Sequence, residues 1–309
     1  MARVQIRRAE CPANPGRRAR DRAGLRSRKE TGMKLFQKTA LVLLFVFAVS
    51  ALRPCPADAK KAKAKPAMTC KSAILSNSTK GKRLFGKDVD RKVLPASTVK
   101  VVTALIVLER LPLDQYVTVG LAATYVQPTK LDLKPGEQYR VRDLLYAILV
   151  KSANDASVVL AEAVAGSEEK FVALMNKRAK QLGARNTKFA NSNGLPTKGR
   201  GQYTTAYDMY LIFRKALKHA FFREAIKRKY KTIYSKDGRK IVLKSHNKIL
   251  FSGWKKEIYG KTGYTRAAGT CFVGTLDDRG NTLVIGVFGC ADRWGYIKRV
   301  VSKYGGVGL

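Results

Sequence analysis

Proline at position 95 constrains the stretch that follows it. Leu94-Pro95-Ala96-Ser97-Thr98-Val99-Lys100 runs into the apolar series Val101, Val102, Ala104, Leu105, Ile106 and Leu108. A proline is tolerated in the first turn of a helix but not within one. The pattern therefore predicts a helix that begins near Ser97, ends before Pro112 and is buried by its apolar residues. Ser97 and Lys100 lie three residues apart on one face of that helix, within mutual reach. A serine hydroxyl is a poor nucleophile until a base removes its proton. A lysine amine serves as that base only when burial or a second cation lowers its pKa. An apolar helix supplies the burial.

Ser-x-x-Lys alone is weak, because it occurs four times, starting at Ser97, Ser167, Ser245 and Ser252. Ser167 reads as the N-cap of a helix through Glu168, Glu169, Phe171 and Leu174. What raises Ser97 is its company. Ser152-Ala153-Asn154 stands at a break between two helical patterns, Val141–Val150 and Ala156–Val164, and Lys261-Thr262-Gly263 occurs once, after Ile258-Tyr259. Taken singly, Ser152 and Asn154 read equally as helix caps and Lys261 as a surface lysine. Other hydrolase chemistries fare badly. There are two histidines, His219 and His246, with no Gly-x-Ser-x-Gly and no His-Glu-x-x-His. No cysteine sits in a Cys-x-x-Cys pair, so neither a metal site nor a redox site is expected.

Strand-like runs gather at both ends of the chain and helical ones in the middle. Ser72–Ser76 and Leu84-Phe85 precede the Ser97 helix. Thr232–Tyr234 with Ile241–Leu243, then Cys271–Leu276 with Thr282–Phe288, form two hairpin signals. A short helix follows at Tyr296–Tyr304. This predicts an α/β fold with one antiparallel sheet drawn from both termini.

Charge and the amino terminus narrow the partners. Lys and Arg number 61 against 22 acidic residues, a net +39. Such a field attracts polyanions, whether nucleic acid, anionic lipid or an acidic wall polymer. Lys34 and Lys38 precede an uncharged run from Thr39 to Leu52, too short to span a bilayer but suited to a signal peptide, and Ala57-Asp58-Ala59 supplies a cleavage signature. Residues 33–59 are therefore read as a signal peptide, 1–32 as a basic extension outside the working protein, 60–70 as a tether and 71–309 as the catalytic domain. Removing residues 1–59 takes away 13 basic and 4 acidic residues and leaves +30. Export favours an envelope partner over nucleic acid, for which no binding signature is present.

The three motifs, in this order on helix, break and strand, match a known acyltransferase set. From about Lys71 to Gly305 the chain resembles the low-molecular-mass penicillin-binding proteins, the serine D-alanyl-D-alanine carboxypeptidases of peptidoglycan metabolism. The likeness is carried by Pro95–Lys100, Asp143-Leu144-Leu145-Tyr146, Ser152–Ala156, Leu160-Ala161-Glu162, Asn191-Ser192-Asn193-Gly194-Leu195 and Lys261–Gly269. The resemblance implies a β-lactamase/transpeptidase-like α/β fold, with an α-helical subdomain inserted between the strands of the two chain ends. It implies that Ser97 attacks the bond between two D-alanines with Lys100 as base, and that Ser152 relays a proton to the leaving amine. Asn154 would bind the substrate amide. Lys261 would keep Lys100 neutral and attract the substrate carboxylate, which Thr262 would hydrogen-bond. Gly263 would let the substrate lie along the strand edge. The backbone N–H groups of Ser97 and Tyr264 would form the oxyanion hole, worth about 3 kcal/mol per donor. Arg293 is the candidate for the terminal carboxylate, with Arg266 its competitor.

The resemblance also implies a disulfide between Cys70 and Cys290, because the first strand lies beside the last, with Cys271 left as a small buried residue. No cofactor is implied. The partners are peptidoglycan stem peptides, with β-lactams as inhibitors and anionic membrane or wall polymer as a further surface. The expected location is the periplasm or the extracytoplasmic face of the inner membrane. No C-terminal β-rich domain is expected, and short members of this kind include D,D-endopeptidases. No Glu-x-x-x-Asn element follows Ser152 at the distance of a deacylating glutamate, so penicillin is expected to inhibit rather than to be destroyed. The rival from another class is an idle, basic peptidoglycan- or polyanion-binding module.

Overall fold

The computed structural model describes residues 69–197, 199 and 201–309. The basic extension, the signal peptide and residues 60–68 of the tether lie outside them. Among the described residues no helix is long and apolar enough to cross a membrane.

In chain order the strands are β1 (Ser72–Asn77), β2 (Lys82–Lys87), β3 (Tyr116–Thr118), β4 (Gln138–Arg140), β5 (Tyr230–Tyr234), β6 (Lys240–Lys244), β7 (Tyr259–Thr265), β8 (Gly269–Asp278) and β9 (Asn281–Cys290). The helices are α1 (Lys100–Arg110), α2 (Leu121–Thr124), α3 (Val141–Tyr146), α4 (Asn154–Ala165), α5 (Glu168–Gln181), α6 (Ala206–Ala216), α7 (Ala220–Ala225) and α8 (Arg293–Gly305). Five strands form one antiparallel sheet in the order β2-β1-β9-β8-β7. Ser72 lies opposite Phe288 and Asn77 opposite Leu283, so the first strand is inserted beside the last. The hairpin β5–β6 does not join this sheet and forms a separate two-stranded one, as does β3–β4.

Alternation along the sheet strands divides their side chains between two cores. Ile74, Val273, Val284 and Phe288 pack with the helical residues Val101, Leu105, Met209 and Phe213. Leu75, Phe272, Ile285 and Val287 face the other way, against Tyr296, Ile297, Val300 and Val301 of α8. A sheet covered by helices on both faces explains why β8 and β9 carry apolar residues at consecutive positions rather than every second one.

Two local departures from regular helix position the chemistry. The stretch predicted as the first turn of one helix is a separate 3₁₀ turn, Ala96–Val99, and α1 starts at Lys100. Ala96 enters it at φ +47°, a left-handed conformation that is strained for a residue with a Cβ. α3 passes into a π-helical turn, Ala147–Lys151, which ends where Ser152 adopts φ 65° and ψ 30°. Turns of this kind recur at functional sites.

Among the described residues the first and last strands are joined as well as paired. Cys70 and Cys290 form a disulfide across 220 residues, and Cys271 is free and buried on β8.

Candidate active site

Ser97 lies on the 3₁₀ turn with its side chain half-buried, whereas Lys100, one turn on, is fully buried. Their Oγ and Nζ atoms are 3.3 Å apart. The amine also donates to Asn154 Oδ1 at 2.6 Å and to the Asn193 carbonyl at 2.7 Å. A neutral amine has two N–H bonds and one lone pair. With both N–H bonds directed at those oxygens, the lone pair is left for the Ser97 hydroxyl. Burial and a neighbouring cation favour that uncharged form of the lysine. Its pKa is lowered well below the usual value by burial first and by Lys261 second, while Asp155 and Glu168 oppose the shift.

Lys261 reaches the site from β7. It is 1% exposed and donates to Ser152 Oγ at 2.8 Å and to its neighbour's carbonyl, Thr262, at 2.9 Å. Burial, then the Arg293 guanidinium, brings its pKa down to about 7. The amine thus ties β7 to Ser152. The Asn154 side chain is engaged at both ends: its Oδ1 accepts from Lys100 at 2.6 Å and its Nδ2 donates to the Gln127 carbonyl at 2.8 Å.

β7 is an edge strand of the sheet and packs against the Ala96–Val99 turn. A Cβ on Gly263 would lie 3.1 Å from the Ser97 nitrogen and 3.2 Å from the Pro95 carbonyl oxygen, so a larger residue would push the strand and the turn a few tenths of an ångström apart. Gly194 is tighter still. It has φ +89°, and a Cβ there would stand 2.0 Å from the Ala96 carbonyl oxygen.

Ser97, Ser152, Thr262, Gly263, Tyr264 and Arg293 line one cleft of about 950 Å³. The Tyr264 side chain is exposed. Of the two competing arginines, Arg293 is the one in the cleft. Its Nη1 donates to the carbonyls of Gly263 and Cys271, and its plane covers the Trp294 ring at 4.3 Å. Arg266 is exposed and does not line the cleft.

Two contributors escaped the sequence reading. The Asn193 carbonyl is a backbone group with no residue signature. Glu168, at the start of α5, accepts from the Ser192 N–H at 2.9 Å and from its hydroxyl at 2.5 Å, fixing the loop that presents that carbonyl. The segment Asn191–Leu195 was itself conspicuous. Its role shows only once folded, with Asn191 Oδ1 accepting from the Gly194 N–H at 2.7 Å.

Comparison with known proteins places this geometry. Residues 59–292 match the family Peptidase_S11, D-alanyl-D-alanine carboxypeptidase. The chain is 32% identical over 267 residues to D-alanyl-D-alanine carboxypeptidase DacF of Bacillus subtilis, spanning 84% of this chain and 67% of that protein. It is 34% identical over 212 residues to DacB2 of Mycobacterium tuberculosis, spanning 69% and 72%. Among solved structures, a variant of the Streptomyces K15 DD-transpeptidase superposes with a TM-score of 0.72 at 27% identity, over 79% of this chain and all of that one. The D-alanyl-D-alanine carboxypeptidase of Mycobacterium tuberculosis gives 0.68 at 32% identity, over 75% and 89%.

Proposed function

We propose, since the chain belongs to the Peptidase_S11 family of D-alanyl-D-alanine carboxypeptidases, that it removes the terminal D-alanine of peptidoglycan stem peptides through an acyl-enzyme on Ser97. The observation that carries this reading is the buried Lys100 amine, with both N–H bonds accepted by protein oxygens and its remaining side 3.3 Å from the Ser97 oxygen.

The steps follow from that arrangement. The Lys100 lone pair takes the Ser97 proton as Oγ bonds to the penultimate D-alanine carbonyl carbon. The oxyanion so formed is stabilised by the backbone N–H groups of Ser97 and Tyr264. As the peptide C–N bond breaks, the leaving amine receives a proton from Ser152, which is reprotonated from the Lys100–Lys261 pair. Water then attacks the acyl ester with Lys100 again as base, and Ser97 is released. Thr262 and Arg293 bind the terminal carboxylate, and the open edge of β7 receives the substrate backbone. β-Lactams acylate the same serine and are released slowly.

An exported location accords with the signal-like segment at residues 33–59 and with the disulfide, which persists in oxidising compartments. The positive charge supports retention near anionic lipid or wall polymer. The test is labelling by fluorescent penicillin together with release of D-alanine from a pentapeptide. Wild type is expected to do both and Ser97→Ala neither. Undiminished labelling of Ser97→Ala would refute the assignment of the nucleophile. A cross-linked dimer cleaved faster than the pentapeptide would make the enzyme an endopeptidase.

A further inference from the structure

Part of the cleft lining carries charge that acyl transfer does not use. Lys151 closes the π-helical turn just before Ser152, Lys244 ends β6, and Lys248 opens the 3₁₀ turn Lys248–Phe251. All three line the same cleft as Ser97, and no aspartate or glutamate lines it with them. Among the described residues none of the three is paired with a carboxylate.

The wall is built rather than loose. The His246 N–H donates to the Val150 carbonyl at 3.3 Å, tying the segment that carries Lys244 and Lys248 to the turn that carries Lys151. The Lys244 ammonium lies 5.6 Å from the Phe251 ring centre and 5.9 Å from that of Tyr230. Those rings meet edge-on at 5.7 Å. Cation–aromatic contact of this kind restrains an exposed lysine. The His246 imidazole, between Lys244 and Lys248 in sequence and lining the same cleft, registers the local potential. Burial first, then Lys261, Lys151, Lys100 and Arg293, bring its pKa down to about 4, so it adds no charge of its own at neutral pH.

Resting on the carboxypeptidase reading, we propose that Lys151, Lys244 and Lys248 form an anion subsite selecting peptides that carry a second carboxylate upstream of the scissile D-alanyl bond. The terminal carboxylate is already served by Thr262 and Arg293. The cleft, at about 950 Å³, is at the upper end for sites that enclose a drug-sized ligand and accommodates residues upstream of the D-alanyl pair. An amide at the upstream position would face three ammonium groups without the charge that matches them.

The test compares kcat/KM of the full-length chain for two isosteric pairs, acetyl-Glu-D-Ala-D-Ala against acetyl-Gln-D-Ala-D-Ala, and acetyl-Glu-Ala-D-Ala-D-Ala against its Gln counterpart. In at least one pair the glutamate peptide is expected to be preferred roughly tenfold at low salt, as two or three partly screened charge contacts give. The preference is expected to shrink as ionic strength rises and to fall several-fold in the double variant Lys244→Gln, Lys248→Gln. Single variants carry the comparison if the double one does not fold, with penicillin labelling as the check. Equal cleavage within both pairs by wild type, or a preference unchanged in the variants, overturns the subsite and leaves the peptidase reading standing. No D-alanine released from any of the four peptides overturns both.

Discussion

Replacing Gly194 with alanine isolates how closely the Asn191–Leu195 loop governs the nucleophile. The added Cβ would lie 2.0 Å from the Ala96 carbonyl oxygen and 3.0 Å from the Ser97 nitrogen. Ordinary contact is about 3.5 Å, so the turn bearing Ser97 must retreat by roughly 1.5 Å. Displacement of a reacting group by about 1 Å lowers rates on the order of 10²-fold, equivalent to about 2.7 kcal/mol in the barrier. Alanine at φ +89° adds a conformational cost of about 1–2 kcal/mol to the folded state. In a domain of this size that cost lowers Tm by roughly 2–8 °C. Gly166 supplies the control. It has φ +79°, but nothing lies within 4 Å of the position a Cβ would take. Gly166→Ala is thus expected to lose a similar Tm while acylating normally. The assay is the second-order rate of acylation by fluorescent penicillin, paired with thermal melting. A folded Gly194→Ala protein that acylates within threefold of wild type would refute the argument that this glycine sets the position of Ser97.

Glu168→Gln keeps an acceptor for Ser192 but removes a negative charge that raises the Lys100 pKa. Activity needs the unprotonated amine, so kcat/KM rises as pH climbs through that pKa. The acid limb of the variant's pH–rate profile is expected to move to lower pH, and a limb that stays or moves upward counts against the electrostatic role. Cys290→Ser opens a 220-residue loop and is expected to cost about 3–5 kcal/mol. Denaturant unfolding with and without reductant measures it, and coincident midpoints in wild type would show that the bridge contributes nothing.

What the sequence disclosed of the site was its local part. Ser97 and Lys100 are near neighbours in the chain, so their three-residue spacing put them within reach, although the same spacing at three other serines left the choice to the motifs further on. The approach of Ser152 and Lys261 is non-local, and resemblance rather than periodicity connected them to Ser97. The Asn193 carbonyl could not be read at all, because every residue carries that group. Asn154 was legible as a site residue, whereas its bond to Lys100 was not, since a side-chain amide serves a substrate or a lysine equally well. The strands of the sheet were legible from apolar runs and turns. The separation of β5–β6 from that sheet was not, because nothing within a hairpin states which sheet it joins. The π-helical turn before Ser152 is likewise invisible to a helical period that differs by only a fraction of a residue per turn.

The strand order has a consequence for when the enzyme comes into being. β1 has no partner on one side until β9 arrives, and the second lysine of the site lies on β7, within the same final stretch. A chain made only as far as residue 258 has a serine and one amine but neither β7 to β9 nor the second cation that lowers the pKa of that amine. Pairings of such long span form late. The fold thereby withholds the paired arrangement of the site until the residues of β7 to β9 have been made and have joined the sheet.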